Sequence, residues 1–169
     1  MLTIRPELPE DFAAVFAIHS RAFSRSEEAE LVDKLRSVAD PQISLVAELN
    51  GQVVGHIFFS PVTIEDEESS FVALGLAPMA VLPELQNQGI GSLLVKVGLN
   101  AAHRMRQAIV VVLGHPEFYP RFGFEAASRK GLRCEFPAPD EAFMVIELEP
   151  GALRGRVGVV KYQPEFSTV

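Results

Sequence analysis

With 169 residues, 48% of them hydrophobic and 22% charged, the chain can bury the core of one domain and is too apolar to stay disordered. A net charge of −7 without any basic stripe argues against a nucleic-acid partner, and an acidic field draws cations such as amines. No apolar run nears the roughly 20 residues that cross a bilayer, "MLTIRPELPEDF" lacks a signal-peptide pattern, and the lone Cys134 has no internal disulfide partner; a soluble, cytoplasmic protein without a membrane partner is expected.

Residues 2–5, "LTIR", read as a short strand closed by Pro6. "LPEDFAAVFAIHSRAF" spaces Phe12, Val15, Phe16, Ile18 and Phe23 as one helix face behind acidic residues. "SEEAELVDKLRSV" predicts a second helix that stops before Pro41. "ISLVAEL" and "QVVGHIFFSPVTI" are β-rich runs on either side of "NG", which predicts a hairpin. The acidic stretch 65–70 makes the next turn, and "SFVALGLAPMAVL" follows as a third strand. A helix is predicted from about Gly89 to Met105, then "AIVVVL" as a strand buried on both faces. A helical turn at "PEFYPRF" and a strand at "AFMVIEL" complete the body. The order β-α-α-β-β-β-α-β-α-β predicts an α/β (α+β) fold, a mixed sheet with helices against it. The main domain is expected over 1–150. The tail 151–169 is expected to pack on that domain and to shape either the acceptor site or a homodimer interface.

The stretch "ELQNQGIGSLLVKVGL" at 84–99 places two glycines where a helix begins. Each glycine costs about 1 kcal/mol relative to alanine within a helix. The first N–H groups of a helix have no intrahelical partner, and a loop without Cβ atoms lets an anion reach them. "QNQGIGS" is therefore a candidate phosphate cradle, the alternative being a tight strand-to-helix turn with no ligand. It is not a P-loop, since Ser92 follows Gly91 without the lysine. It is not a dinucleotide fingerprint either, since Leu94 stands where the third glycine would be.

"MAVLPELQNQGIGSLLV", with Val81, Pro83, Gln86, Gly89 and Gly91, resembles the acetyl-CoA signature of the GCN5-related N-acetyltransferases (GNAT). "VVVLGHPEFYPRFGFE" resembles the second half of that family's pattern at Tyr119, Gly123 and Phe124. That phrase and the ending "VVKYQPEF" are similar to a bacterial, YhbS-like branch of predicted acetyltransferases. The resemblance is strongest over 74–126. It implies a GNAT-type acyl-CoA N-acyltransferase fold and acetyl-CoA as co-substrate. The diphosphate would lie on the amides of Gln86, Asn87, Gln88, Gly89, Ile90 and Gly91, with Ser92 at the helix start. The pantetheine arm would pair with Met79, Ala80 and Val81. Pro78 removes a ladder donor there, and a bulge would part this strand from "AIVVVL".

The implied reaction is direct attack by a primary amine of a small acceptor on the thioester, in a ternary complex. Tyr119 stands at the family's acid position, and a phenol can protonate a departing thiolate. His115, after the "VVVL" strand, is the candidate base, since imidazole titrates near neutrality. His56 and Ser60 are candidates to face the substrate cleft, and Glu84 to close the loop. His19 and His103 read as structural or surface residues. Cys134, beside Arg133 but without a base, reads as a packing thiol rather than a nucleophile. No His/Cys/Asp group has metal spacing. Relatives that acetylate protein N-termini often carry asparagine seven residues before the tyrosine, where this chain has Val112. The competing readings are a catalytically silent CoA-binding module and a transferase of another acyl group. A roomy pocket beyond Phe58 and Phe59 would favour the last.

Overall fold

The computed structural model describes residues 1–169. Strand β1 (Leu2–Pro6) leads through a 3-10 turn into helix α1 (Phe12–Phe23), and α2 (Glu27–Val38) follows it. Three acids, Glu27, Glu28 and Glu30, occupy the first turn of α2, where the helix dipole favours them. Strands β2 (Ile43–Leu49) and β3 (Gln52–Glu65) then form the predicted hairpin. Its turn residues Asn50 and Gly51 both take positive φ, 51° and 85°, as a two-residue hairpin turn of the primed type requires.

Strand β4 (Ser70–Val81) runs antiparallel to β3, and helix α3 (Ile90–Arg104) follows it. Beyond α3 come β5 (Ile109–Leu113), the two-residue β6 (Glu125–Ala126), β7 (Leu132–Cys134), β8 (Phe143–Glu147) and β9 (Gly158–Lys161). The sheet order is β1-β2-β3-β4-β5-β8-β6. Strand β9 pairs with Thr63–Glu65 of β3, continuing along the edge that β2 leaves, and carries β7 on its far side. The predicted helical turn at "PEFYPRF" is a 3-10 turn, Tyr119–Phe122, so the fold has three α-helices on a mixed sheet. Strands β6, β7 and β9 were not predicted. They are two to four residues long, too short for alternation to register.

Alternation along β3 and its neighbours divides the core. Leu45, Ala47, Ile57 and Phe59 pack with Leu94 and Val95 of α3. Val46 and Phe58 pack on the other face with Val15 of α1 and Leu31, Val32 and Leu35 of α2. Pro78 has no N–H to give to the ladder. Opposite Phe58 the register of β3 and β4 slips, so that Ala77 and Pro78 together face one residue. This is the predicted bulge. The parallel pairing of β4 with β5 covers only Leu74–Val110 and Gly75–Val111, and beyond Gly75 the two strands part. No helix is long and apolar enough to cross a membrane.

Gly98 sets how closely α3 sits on the sheet. A Cβ there would lie 2.5 Å from Cε1 of Phe59, a ring that is itself wholly buried. Gly98→Val is expected to lower stability by about 1–3 kcal/mol through overpacking. The check is the chemical-denaturation midpoint, and an unchanged or raised midpoint would show that the helix seat is not so constrained.

Candidate active site

The parted ends of β4 and β5 open into a cleft of about 1190 Å³. One wall is the loop between β4 and α3. Asn87 and Gly89 both take positive φ, 64° and 90°, and Gly89 is the N-cap of α3. No side chain caps this helix, and its first turn holds no acid. The amides of Ile90, Gly91 and Ser92 therefore lack intrahelical partners and carry the positive end of the helix dipole. A Cβ built at Gly89 meets nothing within 4 Å, so its conformation, not crowding within the chain, calls for glycine. At Gly91 a Cβ would make ordinary contacts, the nearest being Met79 Cε at 3.8 Å, and would fill part of the cradle. The Gln86 side chain donates from Nε2 to the Val81 carbonyl at 3.0 Å and ties the loop to the end of β4. A backbone-lined site of this kind fits a phosphate group.

Of the ten residues expected to hold the co-substrate, Met79, Ala80, Val81, Gln86, Asn87, Gly89, Gly91 and Ser92 line the cleft. Ile90 turns its side chain into the core, and Gln88 is exposed with its amide on the Glu84 carbonyl at 3.5 Å. The Glu84 carboxylate accepts from Arg21 at 2.7 Å and links the loop to α1. Both side chains are half exposed, so this pair adds little stability, under about 1 kcal/mol.

Tyr119 lines the cleft but is only 6% exposed, and burial pushes its phenol up to about 12. Its ring packs edge-on against Phe118 and Phe124, with centroids 4.9 and 5.6 Å away. Gly114 makes the room: a Cβ there would lie 2.6 Å from Tyr119 Cε2. His115 also lines the cleft, at its exposed rim, and its carbonyl accepts from the Phe118 amide at 3.1 Å. The buried Val112 pairs with Met144 of β8.

His56 and Ser60 do not face the cleft; both are wholly buried. His56 sits beneath α1 within a polar chain. Ser44 Oγ donates to Glu7 Oε1 at 2.7 Å, so it accepts from His56 Nε2 at 2.8 Å. That leaves His56 Nδ1 to accept from His19 Nε2, also at 2.8 Å, and His19 Nδ1 without a partner. Burial pushes His19 down to about 4 and holds His56 well below the usual imidazole range, where His19 and Arg36 also oppose its charge. His19 is thus structural. His103 lies at the surface, 3.3 Å from Glu149. Cys134 is half buried outside the cleft, and burial pushes its thiol up, which suppresses the thiolate. Phe58 and Phe59 are wholly buried, and neither lines the cleft, so the room imagined beyond them does not open from it. No group of three or more His, Cys, Asp or Glu side chains is placed to hold a metal ion.

Residues 3–127 match the family model described as an acetyltransferase (GNAT) domain. The chain belongs to the GNAT family. It is 40% identical to the "Uncharacterized N-acetyltransferase YhbS" of Escherichia coli K12, over 98% of this chain and 99% of that protein. It is also 40% identical to the "Uncharacterized N-acetyltransferase YjhQ" of the same organism, over 78% of this chain and 74% of that one. The crystal structure of E. coli YhbS in complex with CoA superposes with a TM-score of 0.90 at 38% identity, covering 98% and 92% of the two chains. A Brucella melitensis GNAT acetyltransferase in complex with acetyl-CoA superposes at 0.80 with 34% identity, over 98% of both chains. The YhbS-like, GNAT-type reading of the motifs is thereby shown.

The motifs did not reveal Gly114, Arg121 or the second aromatic wall of this GNAT cleft. Arg121 lines it with its guanidinium 5.2 Å from the Phe118 ring centroid. Phe136 and the tail residues Tyr162 and Phe166 line it too. Gly114 and Arg121, five residues before and two after Tyr119, lay within reach of motif spacing; the aromatic wall did not.

The buried histidines make stability depend on pH. An unfolded histidine binds a proton near pH 6.5, whereas His19 in the fold does so near 4. Between those values the unfolded chain holds more protons, so stability is full above about 6.5 and falls as pH drops towards 4. The loss expected from His19 is on the order of 3 kcal/mol. Denaturation midpoints measured from pH 7.5 to 4.5 should show this slope, and His19→Gln should reduce it, leaving the part due to His56. A flat wild-type profile would overturn the assignment.

Proposed function

We propose that this GNAT protein is a cytoplasmic enzyme that moves the acetyl group of acetyl-CoA to a primary amine of a small acceptor, by direct attack in a ternary complex. One observation carries the reading: an uncapped, glycine-opened helix end, an unpaired strand edge and a buried phenol meet in one cleft. The CoA and acetyl-CoA complexes of its two relatives support it. Amides between Gln86 and Ser92 would hold the diphosphate, and the edge of β4 at Met79–Val81 would receive the pantetheine arm. Acetyl-CoA supplies the acetyl group as a thioester.

Tyr119 would serve the departing sulfur. With its phenol near 12 it stays protonated throughout the neutral range, but it is a weaker acid than free tyrosine. A thiol titrates near 8.5, so complete transfer from Tyr119 is uphill. The role that suits it is to donate a hydrogen bond as charge builds on sulfur while the C–N bond forms and the C–S bond breaks. The proton shed by the amine would pass to His115 at the rim and on to solvent.

Tyr119→Phe is expected to lower kcat about 100-fold, with CoA affinity measured by calorimetry unchanged. Because the phenol titrates near 12, kcat/KM should show no falling limb between pH 8 and 10. Gly89→Val forces a branched side chain to positive φ and fills the cradle, so CoA affinity should fall at least tenfold in a variant whose circular dichroism is native. Equal CoA binding by Gly89→Val would sink the cradle. CoA binding without thiol release on any amine would point instead to a silent CoA-binding module.

A further inference from the structure

We infer that the acceptor is a primary amine carried on an aromatic or bulky apolar body, with Glu28 drawing its ammonium group into the cleft before the nitrogen sheds its proton and reaches the thioester, and a wall of Phe136, Tyr162 and Phe166 receiving the body. This rests on the N-acetyltransferase reading of the same cleft. The wall is continuous, since Phe136 and Tyr162 have ring centroids 5.6 Å apart and Tyr162 and Phe166 5.1 Å. It is also held from behind. Phe166 is buried with Leu31 and Leu35 of α2, and the Tyr162 ring lies so close to β4 that a Cβ at Gly75 would come within 3.1 Å of it. An apolar surface fixed before binding loses little entropy when a ligand covers it.

Charge assigns the two ends of the cleft. Glu28 is the one carboxylate among the lining side chains, and Arg121 the one guanidinium. Arg121 stands by Phe118, and that ring in turn reaches the glycine loop, its Cζ 3.9 Å from a Cβ built at Gly91. Glu28 belongs to α2, on the side of the aromatic wall. Its carboxylate is almost fully buried and oriented by Arg25, which donates from Nε to Oε1 at 2.9 Å and from Nη2 to Oε2 at 2.5 Å. Arg25 also lies 3.3 Å from Glu27, so the three side chains sum to one negative charge. Each carboxylate oxygen keeps a further lone pair for an ammonium donor. The acidic stretch at 65–70 contributes no residue to the cleft, so a polycation finds one side-chain carboxylate there and no row of them.

The test compares 2-phenylethylamine with ethanolamine and spermidine, both by thiol release from acetyl-CoA and by calorimetric titration into CoA-loaded protein. 2-Phenylethylamine should lead ethanolamine at least about tenfold in kcat/KM and in affinity. Phe136→Ala should abolish most of that preference and leave CoA affinity unaltered. Glu28→Gln should weaken 2-phenylethylamine about tenfold and leave 2-phenylethanol, the same body without the charge, bound as before. Equal handling of the two amines, a preference for spermidine, or a preference that survives Phe136→Ala would each overturn the inference. The activity reading fails separately. If the amine preference holds in calorimetry but thiol is never released, the acceptor class stands and catalysis does not. If CoA does not bind, the same titrations on the unloaded protein still decide the acceptor class.

Discussion

The cleft exists because β4 cannot keep both of its neighbours. Through Gly75 it pairs antiparallel with β3 and parallel with β5; at Ala77 and Pro78 it bulges against β3 and leaves β5 behind. Unpaired backbone within a sheet is costly unless something else satisfies it, and ordinary strands avoid it. Here the break falls between two well-formed halves, so the rest of the sheet can bear it. β3 and β4 are paired on both sides of the bulge, and β5 is locked to β8 along its whole length from Ile109 to Leu113.

The glycines around this opening answer to different constraints. Gly98 is needed because Phe59 lies beneath it, and this seats α3 against the sheet. Gly114 is needed because the Tyr119 ring occupies the space of its side chain. Gly89 has open space around it and is needed for a left-handed backbone that starts the helix without a capping side chain. A serine or aspartate in that place would satisfy the first amides internally and compete with any anion for them. Opening the helix on glycine instead of a capping side chain gives up roughly a few tenths of a kcal/mol of stability and keeps the amides available.

Long elements with a clear period were legible in the sequence: the three helices, the "NG" hairpin and the buried run 109–112 all declared themselves through spacing and turn chemistry. So did the loop, because glycines at a helix entrance conflict with helix propensity and conflicts of that kind gather at functional sites. The errors have a physical cause as well. His56 and Ser60 lie on one face of β3, and periodicity identifies a shared face without saying whether a cleft or a helix covers it. Helix α1 covers it; the His56 ring is satisfied by Ser44 and His19, which no local pattern connects to it, while Ser60 Oγ has no partner. The wall formed by Phe136, Tyr162 and Phe166 depends on β9 reaching Thr63–Glu65, a contact across about a hundred residues that four residues of "GVVK" could not announce.

The two ends of the cleft are built in different ways, and this follows from what each has to recognise. The end formed by the glycine loop and the edge of β4 offers mainly backbone groups, whose positions depend on the fold and not on the identity of side chains. Such a site suits a ligand part that is the same in every reaction of the enzyme. The other end is made of side chains from α2, from the segment around Phe136 and from the tail, all brought in by elements flanking the central strands. Those residues lie outside the central strands, and only Tyr162 among the aromatic three is held against β4, at Gly75. Tyr119 lines the same cleft, buried by Phe118 and Phe124, and the same packing that raises its pKa fixes the direction of its ring. Loss of acidity is thus tied to gain in orientation, which favours a fixed hydrogen-bond donor over a mobile proton carrier.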